Sequence, residues 1–194
     1  RYVALARSQE WGGQWEKASW RCWREDGVII PTFLVHGKDN VGARDGYVYS
    51  YFIRPAEEGV KQAGYGLEVH KPGALYLARV PRGEIFAGRD RYAWFVEMRD
   101  GAPVWGTLAE KGPGFAEGNG TGWCVSASYC VGLGRYLLVT EHGRSHSGVL
   151  GVFDAPEPWG PWTTVKYWTE GARFGASRPG SGLDWADNVF FISF

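Results

Sequence analysis

The stretch from Gly122 to Trp168, GWCVSASYCVGLGRYLLVTEHGRSHSGVLGVFDAPEPWGPWTTVKYW, leaves this chain few folds to choose from. It breaks into four extended segments, WCVSASYC, RYLLVTEH, VLGVFDAP and WTTVKYW, each rich in β-branched and aromatic residues. Between them lie VGLG, GRSHSG and the EPWGP corner, and every break carries Gly or Pro. Four short strands joined by tight turns form an antiparallel meander.

The same pattern recurs. VALARS at Val3, LYLARV at Leu75 and VLGVFDAP at Val149 fill one slot at a spacing of about 75 residues, and YVYSYF and RYLLVTEH fill the slot before it. Within YVYSYF, Tyr47, Tyr49 and Tyr51 fall on one face of a strand and Val48, Ser50 and Phe52 on the other. The reading is an all-β chain, a β-propeller of four-stranded antiparallel blades. Residues 1–24 end one blade, 27–98 form a second with an insertion at 56–73, 122–170 form a third, and 185–194 begin another. The stretches 99–121 and 171–184 read as connections, and a short helix or turn is expected somewhere in 85–98. Two whole blades fall short of the roughly four that a closed ring needs. The opening RYVALARSQE has neither an initiating Met nor the pattern of a signal peptide, so the chain reads as a fragment of a longer protein.

With 21 basic and 21 acidic residues the formal net charge is +0, so no bulk field steers the chain toward nucleic acid or an anionic membrane. No apolar run is long enough to cross a bilayer. Cys22, Cys124 and Cys130 lack both a disulfide framework and metal-type spacing, and read as small buried hydrophobes.

Two motifs bring in a resemblance. Ser8-Gln9-Glu10-Trp11-Gly12-Gly13-Gln14-Trp15 resembles the Asp box of sialidase-like propellers, S-x-D-x-G-x-T-W, with Glu10 in place of the Asp and Gln14 in place of the Thr. In that family the box is a structural hairpin turn whose Trp packs between blades. PTFLVHGKDNVGARDGYVYSYF, LGRYLLVTEHGRSHSG and FDAPEPWGPWTTV together resemble bacterial five-bladed propellers of the glycoside-hydrolase and sialidase-like type, and the PWGPWT corner resembles a turn that marks the fold in carbohydrate-active propellers. The resemblance implies a secreted or periplasmic protein that binds or cleaves a polysaccharide. It implies no cofactor and leaves open a calcium ion on the propeller axis.

A propeller site lies where inner strands and their loops meet at one end of the axis. That places His36, Lys38, Asp39, Arg44 and Asp45 at and just after one inner strand, Tyr129 on the next, and Glu141, His142 and Arg144 in the loop beyond. Glycoside hydrolysis needs an acid and a second carboxylate, for which Asp45, Asp39 and Glu141 are the candidates. Elimination on a uronic acid needs a cation to neutralise the carboxylate and a His or Tyr to move the proton, which suits Arg144, His142, His146 and Tyr129. The expected catalytic set is therefore Asp45, Glu141, His142 and Tyr129, with Arg44, Arg144, His36, Lys38 and Asp39 binding substrate and no metal. A non-catalytic glycan-binding or scaffold propeller is the alternative. The structural reading of these residues is that Arg44 and Asp45 form a pair closing the turn before YVYSYF and that His36 is a core histidine. His142 and His146 flank Gly143 in a turn, so the helical spacing of a zinc pair does not apply. Trp159 and Trp185 lie in loops, where an aromatic face can stack on a sugar ring.

Overall fold

A computed structural model describes residues 4–9, 12–22, 26–37, 40–53, 74–115, 125–142 and 149–167. All of it is strand, turn and short 3-10 turn, so the chain is all-β. Strands β1 (Ala6–Arg7) and β2 (Glu16–Lys17) make a small hairpin. β3 (Ile29–Phe33), β4 (Tyr47–Ile53), β5 (Leu75–Pro81), β6 (Ala93–Arg99) and β7 (Ala102–Gly106) form a five-stranded meander in chain order. β8 (Val125–Cys130), β9 (Arg135–His142), β10 (Val149–Ala155) and β11 (Thr163–Tyr167) form a four-stranded one. All pairings inside the sheets are antiparallel.

The first meander corrects the sequence reading in one respect: it has five strands where four were expected. The stretch 99–121, read as a connection, contains β7. The reason is local. Asp100 (φ 52°) and Gly101 (φ 78°) both sit in the left-handed region, the paired conformation that turns a two-residue hairpin tightly. Pro103 is tolerated because β7 lies at the sheet edge. Thr107 then caps a 3-10 turn at Leu108–Glu110 through a reciprocal bond with the Glu110 side chain. Residues 85–98 hold a further 3-10 turn at Arg89–Arg91. The insertion at 56–73, the connection at 171–184 and the opening strand at 185–194 lie outside the described residues.

Period-two alternation gives the five-stranded sheet two apolar faces. Tyr49, Tyr51 and Ile53 share one face with Leu75 and Leu77, and there they meet Leu138 and Phe153 of the second sheet. Phe52, Tyr76, Val80 and Trp94 share the other, where Cys22, Val28 and the partly buried Leu5 and Trp20 of the N-terminal segment cover them. The elements therefore stack face to face, with each fully buried Leu or Phe contributing about 1.5–3 kcal/mol. Cys22 and Cys130 are buried free thiols, and Cys124 lies outside the described residues.

The first-strand edges of the two meanders also meet. Val35, just beyond β3, bridges Ser128 of β8 in parallel. Its N–H donates to the Ala127 carbonyl (3.1 Å), and its own carbonyl accepts from the Tyr129 N–H (2.8 Å). The Thr32 hydroxyl adds a bond to the Val125 carbonyl at 3.2 Å. The first strands of the two sheets thus run side by side in the same direction.

In the Asp-box-like segment, Ser8 Oγ accepts from the Gly12 N–H (3.0 Å), and the Trp15 indole N–H returns to the Gly12 carbonyl (3.1 Å) between paired β1 and β2. The hairpin turn is present, but Trp15 is 65% exposed rather than packed against a neighbour.

Candidate functional site

Polar and aromatic side chains collect at one end of the packed interface between the two large sheets. The loop after β3 starts the cluster. His36 is 4% exposed, its N–H donates to Asn40 Oδ1 (3.1 Å), and its carbonyl accepts from the Gly42 N–H (3.3 Å). Asn40 takes the left-handed backbone (φ 53°) that folds the loop back. The loop then delivers Arg44 and Asp45 to the start of β4.

Asp45 is heavily engaged. Its Oδ1 accepts the Tyr47 N–H at 2.9 Å, which closes the turn into β4, and its Oδ2 accepts the Tyr49 hydroxyl at 2.8 Å. Arg44 Nε lies 3.5 Å from the same carboxylate. Arg44 also pairs with Glu157, from the corner between β10 and β11, and its guanidinium stacks 4.6 Å over the ring of Trp159. The side chains of Arg44, Asp45 and Glu157 are 32%, 33% and 39% exposed, so this rim is open to solvent.

Across the sheet, Arg79 of β5 stands opposite Tyr49 of β4. Its guanidinium lies 4.3 Å from the centre of the Tyr47 ring and 4.0 Å from that of Trp105 of β7, and its side chain is hydrogen-bonded to Tyr49. Trp105 in turn meets Tyr49 and Trp159, both at 6.0 Å. Gly160 (φ 101°) lets the corner turn, and the fully buried Tyr51 donates its hydroxyl to the Pro158 carbonyl at 2.5 Å. Trp159 is thereby fixed beside Trp105 and Tyr49.

On the inner side, the His36 ring lies 6.0 Å from Tyr129 and 6.1 Å from Tyr136, and these two tyrosines are 4.8 Å apart. His36 Nε2 is buried with no hydrogen-bond partner. Burial holds the His36 pKa below its ordinary value, with Arg44 and Arg82 pushing the same way and Asp45 opposing. The imidazole is therefore neutral at pH 7. Burial also raises the Tyr49 pKa, helped by the hydrogen bond and charge of Asp45, and raises that of Tyr136. Neither phenol supplies a proton acceptor near neutrality.

Of the residues expected from sequence, His36, Arg44, Asp45 and Tyr129 come together in this cluster. Glu141 and His142 close β9, in register with Leu150 and Val149 of β10. Lys38, Asp39, Arg144, His146 and Trp185 lie outside the described residues. Sequence reasoning missed Tyr49, Arg79, Trp105, Tyr136 and Glu157. The first three meet through cross-strand register, and Glu157 sits in a corner read only as a fold marker. The described residues hold no group of three or more His, Cys, Asp or Glu suited to a metal ion, and no helix long and apolar enough to cross a membrane.

Compared with protein-family models, curated proteins and solved structures, the chain finds no match.

Proposed function

We propose that the two meanders are successive blades of a β-propeller and that the cluster at the end of their interface binds carbohydrate without cleaving it. The blade reading is supported by the parallel meeting of the two first strands at Val35 and Ser128, and by two meanders stacked face to face. Antiparallel sheets arranged radially put their innermost strands side by side in this way.

The observation that carries the binding reading is the pairing of Arg44 and Trp159 at the open rim, with Asp45 and Glu157 on the same guanidinium. An aromatic face beside fixed polar groups suits a sugar ring, which offers a C–H face and a rim of hydroxyls. The same contacts argue against cleavage here. A general acid or base must be free to exchange a proton with substrate. Asp45 spends both carboxylate oxygens on Tyr47 and Tyr49, and Tyr129 and His36 sit in an inner aromatic cluster. With such a ligand the reading remains that of a secreted or periplasmic protein.

The test is calorimetric titration of the chain with a panel of neutral and uronic-acid polysaccharides, beside assays for new reducing ends and for the ultraviolet absorbance of an unsaturated uronate. Binding without product, weakened about tenfold or more in Trp159→Ala, is the expected result. New reducing ends would turn the reading to a hydrolase, and new absorbance to a lyase. Silence throughout would end the carbohydrate reading.

A further inference from the structure

His36 sits where the two large sheets are stitched together. The residue before it, Val35, carries the backbone bonds of the seam: its N–H donates to the Ala127 carbonyl (3.1 Å) and its carbonyl accepts from the Tyr129 N–H (2.8 Å). The imidazole is 4% exposed and packs against the second sheet, 6.0 Å from the Tyr129 ring and 6.1 Å from that of Tyr136. Tyr129 thus ties the seam through its N–H and walls the imidazole with its ring. His36 Nε2 is buried without a hydrogen-bond partner. Among the described residues, the charged groups acting on the ring are Arg44 and Asp45 just before β4 and Arg82 just beyond β5, with the phenols of Tyr129 and Tyr136 facing it from β8 and β9.

We propose that this seam is a pH-sensitive junction: protonation of His36 parts Val35 from β8 while each sheet keeps its fold. A protonated imidazole donates from both ring nitrogens, and here Nε2 has no acceptor. A buried charge without a partner is costly and draws in water. Asp45 does not answer it, because its Oδ1 and Oδ2 already accept from the Tyr47 N–H and the Tyr49 hydroxyl. Arg44 and Arg82 add like charge. The seam rests on a few hydrogen bonds, the two at Val35 and one from the Thr32 hydroxyl to the Val125 carbonyl, whereas the faces behind it are joined by the buried Leu77, Leu138 and Phe153. Parting the seam exposes far less apolar surface than parting the faces, so it opens first. In the opened seam the ring regains its ordinary pKa near 6.5, above the folded one. The closed form is therefore fully favoured above about pH 6.5, and each pH unit from there down to the folded value favours the open form by up to about tenfold. The junction needs no ligand. Its consequence for the neighbouring Arg44 and Trp159, loss of sugar binding in acid, rests on the carbohydrate-binding reading above.

The experiment is amide hydrogen exchange on the full chain, read by NMR between about pH 7.5 and pH 5 and expressed as protection relative to the unstructured peptide at each pH. In wild type the Val35 and Tyr129 amides should lose protection about fivefold or more by about pH 5, in step with the titration of the His36 ring. The Leu75 and Gly112 amides, bonded to the Phe115 and Phe95 carbonyls within the first sheet, should keep theirs. His36→Gln stays polar and cannot titrate, so its Val35 and Tyr129 amides should hold one protection across the range. Circular dichroism checks that this variant is folded, and the match between ring titration and lost protection in wild type needs no variant. Constant protection at Val35 and Tyr129 while the ring titrates overturns the junction. A loss that does not follow the ring, or that persists in folded His36→Gln, overturns the assignment to His36. A parallel loss at Leu75 and Gly112 means that the whole chain opens and overturns a local switch. All of these outcomes are read without ligand, so the carbohydrate reading stands or falls on its own titration.

Discussion

The Tyr49 hydroxyl donates to Asp45 Oδ2 at 2.8 Å, across the turn whose closing bond is the Tyr47 N–H to Oδ1 of the same carboxylate. One side chain therefore ends a loop, starts a strand and orients a tyrosine of the inter-sheet core. Tyr49→Phe removes one of these bonds without changing shape and should cost about 1 kcal/mol. Asp45→Ala removes both and frees Arg44 on one side, so its cost should be larger, about 1–3 kcal/mol. Urea unfolding of the two variants checks this through lower midpoints at unchanged slope. Equal midpoints would show that the carboxylate is not structural and would restore it as a candidate acid or base.

His36 should make stability depend on pH. Burial holds its folded pKa below the ordinary value near 6.5, so the unfolded chain takes up a proton first as pH falls. Stability is then at its full value above about pH 6.5 and declines below it until the folded imidazole also protonates. Arg44, Arg82 and Asp45 are the charged groups acting on the ring, with Tyr129 and Tyr136 packed against it. Unfolding midpoints between about pH 7.5 and pH 5 should show this slope in wild type and a reduced one in His36→Gln. An identical slope in both would assign the dependence to other groups.

Much of this architecture was legible in the chain because strand signals here are local. The segments RYLLVTEH and VLGVFDAP lie on β9 and β10, and the two-faced pattern of YVYSYF is the alternation that buries Tyr49 and Tyr51 on one side and Phe52 on the other. β7 escaped because APVWG is short, carries a proline and lies in a glycine-rich stretch. The Asp100-Gly101 pair was the signal that could have found it. The cluster was half legible. His36, Arg44 and Asp45 are close in sequence, in a loop that follows a strand, where functional side chains are commonly carried. Arg79, Trp105 and Glu157 reach the same place through strand register and a distant corner, and no local pattern encodes which residue of β5 will stand opposite Tyr49.

Phe153 ties the two large sheets together. Its ring centroid lies 4.8 Å from that of Phe115, whose N–H donates to the Leu75 carbonyl at 3.1 Å, and Phe153 is 1% exposed. Phe153→Ala opens a cavity between the sheets and should cost about 3–5 kcal/mol. Val165→Ala, on the exposed β11, should stay within about 0.5 kcal/mol. Denaturant unfolding of both variants measures the difference. A small loss at Phe153 would mean the sheets are held chiefly by the Val35–Ser128 bridge instead of by face packing.

Gly160 links the corner to binding. Its φ of 101° is one that side chains rarely adopt, and a Cβ there would meet the Trp162 backbone nitrogen at 3.1 Å and the Trp162 Cδ1 at 3.2 Å. Gly160→Ala should therefore cost about 1–3 kcal/mol and displace the residue before it, Trp159. Since Trp159 carries the Arg44 stack at 4.6 Å, glycan affinity should fall along with stability. Trp159→Ala removes the same platform without straining the backbone, so it should lose affinity to a similar degree with a smaller loss of stability. Thermal unfolding and calorimetric titration on both variants separate the two effects. If Gly160→Ala binds as wild type does while unfolding earlier, the corner is a structural fastening and the sugar does not rest on Trp159.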